Sequence, residues 1–294
     1  MMKVYRKSKI SDRIMTAVFY MGAIFILILL AAFIIDILIK GFTDFDFSLL
    51  AFNKKGIGNQ LFNTVYLVFL SLVVSVPLGI AAGIYMAEYA KGGPVTRFLR
   101  ICIETLSSLP SIVVGLFGYL VFIVMTGSKW NLLAGALAVS ILSLPLIVTV
   151  TEEALRSLPG IYKEGSFGLG ANHWQTIVHV MIPSCMPRII TGIILAAGRG
   201  FGEAAALLYT AGMSTDIKWS NWDLTSKSCP LNPFRPGETL ALHIWASRTE
   251  AVNVNAAQIA NLSSAILVIL VFLFSISARM LSGKMDRRIG GSKY

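Results

Sequence analysis

The sequence predicts an all-α integral membrane protein with about six transmembrane helices. Three observations carry that expectation. Only 14% of the 294 residues are charged and 55% are hydrophobic, where a soluble domain carries about 25% charged residues; the mean hydropathy is +0.73. Apolar runs near 15–39, 62–87, 103–126, 132–151, 189–212 and 259–280 approach or exceed the ~20 residues that a spanning helix needs. Basic residues gather in alternate connecting segments, as membrane topology requires.

The first run, Thr16 to Ile39, exceeds the ~7–15-residue apolar core of a signal peptide and is read as a retained, peripheral helix. The second, third and fourth runs carry Pro77, Pro110 and Pro145. Each removes a backbone donor, and either kinks its helix or reflects the ordinary abundance of proline in membrane spans. Gly79-x-x-x-Gly83 and Gly198-x-x-x-Gly202 are spaced to let helices approach closely. The fifth run is the one that carries charges.

Orientation follows from lysine and arginine. Lys3, Arg6, Lys7, Lys9 and Arg13 precede the first run. Lys91, Arg97 and Arg100 follow the second; Arg156, Lys163 and Arg188 follow the fourth; Lys284, Arg287, Arg288 and Lys293 close the chain. The intervening, longer segments hold the sparser set Lys54, Lys55, Lys129, Lys218, Lys227, Arg235 and Arg248. Both termini are therefore expected in the cytoplasm, which needs an even number of spans. The same placement explains the net charge of +10 without nucleic acid, because the basic residues form no continuous stripe. Cys102, Cys185 and Cys229 show no CxxC spacing and are read as unpaired. His173 and His179, six residues apart, do not share a helical face and read as loop-contact residues rather than metal ligands; His243 stands alone. Asp36, Glu88 and Glu104 lie near helix ends and are expected to be solvated or paired.

Two loops stand out. The outer one, Met213 to about Gln258, contains Trp219, Trp222 and Trp245 as possible interface anchors. Its Pro230, Pro233 and Pro236 argue for irregular structure, and Thr239 to Ser247 for a short interfacial helix. The inner loop, Glu152 to Pro187, is not polar enough to be disordered. It reads Glu164-Gly165-Ser166-Phe167-Gly168-Leu169-Gly170, then Ala171 and Trp174, then Val180, Ile182 and Pro183. A glycine in the 168–170 turn permits a left-handed backbone and a tight knob.

This loop resembles the Glu-Ala-Ala loop of permease subunits in binding-protein-dependent ABC importers (type I). Glu164, Gly170, Val180, Ile182 and Pro183 stand at the family spacing, and Gly165-Ser166 replaces Ala-Ala. Further strings resemble phosphate-importer permeases, most of all the PstA type. They are Asn63-Thr64 with Pro77-Leu78-Gly79 and Ile84-Tyr85-Met86-Ala87-Glu88-Tyr89, Leu109-Pro110-Ser111 through Gly118, Gly170-Ala171-Asn172-His173-Trp174-Gln175-Thr176, and Thr191-Gly192-Ile193-Ile194-Leu195 running into Arg199 and Gly202-Glu203. The resemblance implies a permease of residues 61–280 (coupling loop 152–187, outer loop 213–258), preceded by a tail, peripheral helix and outer loop at 1–60 and followed by a basic cytoplasmic tail at 281–294. It implies transport rather than catalysis, in a bacterial or archaeal cell membrane. The implied partners are a second related permease, two copies of a cytoplasmic ABC ATPase, an extracytoplasmic phosphate-binding protein, phosphate and the lipid bilayer. The knob formed by Glu164, Gly165, Ser166, Gly168, Gly170, Ala171, Trp174 and Pro183 would contact the ATPase. The chain has no Gly-x4-Gly-Lys-Ser/Thr string, so it is not expected to bind ATP itself, and no cofactor or metal is expected.

Arg199 and Glu203 are the candidate pathway residues. Arg199 lies about 16 Å beyond Arg188 at ~1.5 Å per residue, near the middle of a ~30 Å hydrocarbon core, where ionisable groups are costly and mark functional sites. Their i, i+4 spacing puts both on one helical face. They either form a structural ion pair or line an anion path, in which the planar guanidinium suits phosphate oxygens. Two other readings stay open: a permease of the same class for another oxyanion (sulfate, molybdate, phosphonate), and a stand-alone secondary transporter, which also uses broken helices and buried charges.

Overall fold

The structure is a computed structural model. It describes residues 2–43, 47–53, 56–214, 216–249 and 256–289, without the side chains of 2–10, 281 and 284–289. Lys54, Lys55 and Lys293, and the side chains of Lys3, Arg6, Lys7, Lys9, Lys284, Arg287 and Arg288, therefore lie outside the described residues. The described residues are helical, with no strand among them.

The order of elements is α1 (Met2–Phe42), α2 (Gly58–Ile84), α3 (Pro94–Ser108), α4 (Ser111–Tyr119), α5 (Leu132–Arg156), α6 (Ile161–Gly168), α7 (His173–Thr176), α8 (Ile182–Phe201), α9 (Ala205–Thr210), α10 (Leu240–Thr249) and α11 (Ala256–Ile289). Wide π-turns extend α2 through Tyr89, extend α4 through Val124, and join α7 to α8 at Ile177–Met181. Among the described residues, five helices are long and apolar enough to cross a membrane, or six if α3 and α4 count as one bent span.

Span α5 is the axis of the bundle. Its apolar window is 61% buried, against 39% for α2 and none for α1. Leu132, Ala136 and Val139 of α5 pack with Leu67 of α2, Leu207 and Ala211 around α9, and Leu242 of α10. Nearer the other end, Ala154 and Leu155 meet Ile84, Ile177, Met181, Cys185 and Ile189. Small residues on α2 set the α2–α5 distance, as the spacing of Gly79 and Gly83 predicts. A methyl group at Gly79 would stand 2.6 Å from Ile147 Cγ2, and one at Gly83 2.5 Å from Thr151 Cβ. The second glycine pair does not act this way. Nothing lies within 4 Å of such an atom at Gly198, and only the Arg199 carbonyl does at Gly202.

Two expected spans are corrected. The third, 103–126, is not one straight helix. Leu109 and Pro110 are extended, because a proline disfavours the α conformation before it. There α3 and α4 meet at a bend of 102°, and no residue of α3 is buried. The fifth span starts sixteen residues before the expected 189 and stops at Phe201; it covers His173–Phe201. Gly202 to Ala204 then break the helix before the short α9. Hydropathy missed the first part because His173, Gln175 and His179 dilute it. Helix α1 is peripheral, as expected, and its contacts are mostly with α11.

Candidate functional site

Two loops close opposite ends of the bundle and are named here for their residues. The glycine loop (157–172) leads through α6 to α7. The proline loop (212–239) leads from α9 to α10.

In the glycine loop, α6 ends at Gly168, and Gly170 adopts φ +85°. That left-handed value disfavours any side chain with a Cβ. Asn172 then starts α7 with a reciprocal capping box: its side chain accepts from the Gln175 N–H, and the Gln175 side chain accepts from the Asn172 N–H. The Ser166 and Thr176 hydroxyls lie 2.9 Å apart and tie α6 to α7. This gives Ser166 a structural role in the loop. A Cβ at Gly165 would meet nothing within 4 Å, so packing does not demand that glycine. The tip points away from the bundle: Leu169 is 91% exposed and Trp174 58%. Tyr162, Gly165, Leu169, Ala171 and Gln175 line an apolar groove of about 490 Å³ beside it. Exposed apolar surface of this kind marks an interaction site. Glu164, Gly168 and Gly170 are exposed too, whereas Pro183 is half-buried inside the following helix.

One residue read only as solvated or paired proves central. The side chain of Glu88, at the end of α2, is 4% exposed. One oxygen accepts from Lys163 Nζ at 2.7 Å, and the other lies 3.4 Å from His173 Nε2. The loop-contact reading of His173 holds, with Tyr89 edge-on to its ring at 5.1 Å. Beside this clasp, Glu152 receives Arg100 of α3 at 2.8 Å and Arg156 at 2.9 Å, and Arg156 also donates to the Met86 carbonyl. A family pattern for the loop says nothing about α2, so sequence reasoning had no signal that joined Glu88 to it.

The proline loop is built inward. Backbone N–H groups of Asn131, Leu132 and Leu133 donate to the carbonyls of Thr210, Arg235 and Pro233. The Asn131 side chain takes the next donor, Ala134 N–H. The unpaired donors at the start of α5 are thereby satisfied. Arg235 is 1% exposed. Its guanidinium donates to Asn63 Oδ1 at 2.6 Å and to the Pro230 and Pro236 carbonyls. Burial pushes its pKa down to about 10. Asn63 Nδ2 donates to the Glu238 carbonyl, Gln60 Nε2 to Glu238 Oε2, and the Leu240 N–H to Thr64 Oγ1. The Asn63-Thr64 pair is thus the seat of this loop. Trp219 is not an interface anchor: its indole N–H donates to Asn59 Oδ1 and its rings pack edge-on against Phe52 and Phe62. Trp222, 65% exposed, and Trp245 do face outward. The short helix expected at 239–247 forms as α10, with Leu240, Ala241, Leu242 and Ala246 buried, so it belongs to the bundle.

Arg199 and Glu203 are separated by the helix break. Glu203 follows the last turn of α8 and caps α9, accepting from the Ala206 N–H at 3.1 Å. Arg199 is exposed and donates to the Leu142 carbonyl of α5 at 3.4 Å, the long limit for such a bond. The ion pair expected from i, i+4 spacing is not made, because Gly202 ends the helix before its next turn closes.

The described residues thus form a multi-pass helical bundle, locked at one end by buried polar bonds and carrying an exposed, apolar-tipped loop at the other. Residues 79–291 match the family of binding-protein-dependent transport system inner membrane components. The chain is 44% identical to the Probable ABC transporter permease protein YqgI of Bacillus subtilis, over 96% of this chain and 98% of that one. It is 40% identical to the phosphate transport system permease protein PstA of Xylella fastidiosa, over 54% of this chain and 55% of that one. Its fold matches a permease chain in the crystal structure of a bacterial alginate ABC transporter bound to an alginate-loaded periplasmic protein. That match has a TM-score of 0.64 at 16% identity and covers 96% of this chain and 97% of the other. The chain belongs to the binding-protein-dependent ABC importer permeases, the membrane-embedded transport subunits of such systems.

Proposed function

We propose that this chain forms half of the translocation pathway of a phosphate importer, pairs with a second permease, and couples through its glycine loop to a cytoplasmic ABC ATPase. The single observation that carries the coupling is the exposed Leu169 tip, held by a left-handed Gly170 between two short helices tied by Ser166 and Thr176. Glu164, Gly165, Ser166, Gly168, Gly170, Ala171 and Trp174 form the contact in this reading, and Pro183 stands in the first turn of α8 behind them. The glycine loop and both termini face the cytoplasm, in line with the positive-inside distribution. The proline loop faces the binding protein. Support for phosphate comes from the likeness to PstA permeases over about half the chain. Arg199 adds chemistry: an exposed guanidinium with one long bond to a carbonyl is available to an anion.

The experiment is uptake of labelled phosphate, sulfate and molybdate into vesicles holding the complete complex. Phosphate alone is expected to enter, and only with ATP and the binding protein. Entry of another oxyanion instead would replace the cargo. Uptake driven by an ion gradient without ATP would favour a secondary transporter. Arg199→Ala is expected to abolish uptake with assembly and basal ATPase activity intact. Arg199→Lys should restore it in part, because an ammonium lacks the fork geometry. Glu203→Gln should remain active, since an amide oxygen still caps α9. Normal uptake by Arg199→Ala would remove Arg199 from the path.

A further inference from the structure

We propose that α2 is a transmission rod joining the glycine loop to the proline loop, and that Glu88 is the positioning residue that fastens its lower end. The proposal rests on the reading of the glycine loop as the ATPase contact.

The glycine loop is covalently continuous with α5 and with α7 and α8. It has no covalent link to α2. Glu88 supplies a noncovalent link instead: its two carboxylate oxygens face Lys163 of α6 and His173 of α7, one on each side of the Leu169 tip. The carboxylate is 4% exposed, while Lys163 and His173 are 36% and 42% exposed. A carboxylate this buried is stable only while its partners stay, so movement of the two short helices draws the end of α2 with them. From Gly58 to Tyr89 the helix has 32 residues, about 48 Å at ~1.5 Å per residue. Its other end carries Asn59, Gln60, Asn63 and Thr64, which hold Trp219, Glu238, Arg235 and Leu240 of the proline-loop end. Between the two attachments Gly79 and Gly83 bring α2 into close contact with Ile147 and Thr151 of α5, which guides the helix along that surface. A displacement at Glu88 therefore arrives at the proline loop.

The test uses the complete reconstituted complex. Hydrogen–deuterium exchange of residues 230–243 is followed with and without a non-hydrolysable ATP analogue, alongside phosphate uptake. In the wild type the analogue should change exchange in that segment. Glu88→Gln should reach the membrane at wild-type level, bind the ATPase, lose the exchange response and lose uptake at least tenfold. The exchanged pair Glu88→Lys with Lys163→Glu should recover at least half of both. A Glu88→Gln variant with normal uptake, or with an exchange response but no uptake, would overturn the proposal. So would an exchanged pair that assembles but recovers nothing. Failure of both variants to reach the membrane would make Glu88 a folding residue and also overturn it. If the wild type itself neither binds the ATPase nor takes up phosphate with ATP, the fault lies in the functional reading beneath it.

Discussion

The two ends of this bundle solve opposite problems. At the proline loop, polar groups turn inward: Arg235 makes no ion pair among the described residues, yet four hydrogen bonds hold its guanidinium, and Asn63 bonds on both sides of its amide. At the glycine loop, apolar groups turn outward: Leu169, Trp174 and Ile161 stand exposed above a frame of capping and ionic bonds. The first end is finished within one chain. The second leaves apolar side chains open to a partner. A buried polar lock and an exposed apolar tip are both costly locally, and the contrast shows which end folding alone accounts for.

That contrast can be broken. The largest effect is expected from Gly170→Asp. Its side chain must enter a left-handed turn at φ +85°, and its charge sits where an apolar contact is needed. Membrane levels should persist, while co-purification with the ATPase and ATP-dependent uptake fall at least a hundredfold; normal values for both would show that this end needs no partner. Arg235→Ala comes next. It removes a charged donor and leaves Asn63 Oδ1 and two carbonyls short of a partner, a cost of about 3 kcal/mol. Thermal unfolding in detergent should drop, and the proline loop should become protease-sensitive with ATPase binding preserved. A smaller effect is expected from Leu169→Ser, which should leave thermal stability unchanged and weaken ATPase binding about tenfold. The smallest is Gly165→Ala. Nothing blocks the new methyl group, and α6 should gain up to about 1 kcal/mol of helix stability. A loss of stability there would show that the space is filled in the assembly.

Much of the fold was legible. Apolar runs placed α1, α2, α5 and α11 because lipid demands unbroken hydrophobic length, and that demand is local in sequence. Gly170 was legible because a left-handed turn leaves a residue-level trace. The Pro110 break was visible as a residue but not as a right angle, since proline fixes where a helix stops and packing fixes where the next one goes. The Arg199–Glu203 pairing failed for a related reason. Its spacing from Arg199 was sound helix arithmetic, but Gly202 broke the helix that the arithmetic assumed. Glu88, Asn63 and Arg235 each bond partners 75 to 175 positions away, and no periodicity in a single sequence records such pairings.

The right angle at Pro110 has a consequence for the membrane itself. Beyond the bend, α4 and its wide turn hold nine and five residues, which rise only about 21 Å. The hydrocarbon core is ~30 Å thick. On this flank the chain is shorter than its solvent, and hydrophobic mismatch of about 9 Å costs fractions of a kcal/mol for each ångström. Lipid thinning relieves that cost, and so does a helix contributed by a neighbour. Bilayer thickness is thus a variable to which this flank responds, and shorter-chain lipids would suit the isolated subunit better than longer ones.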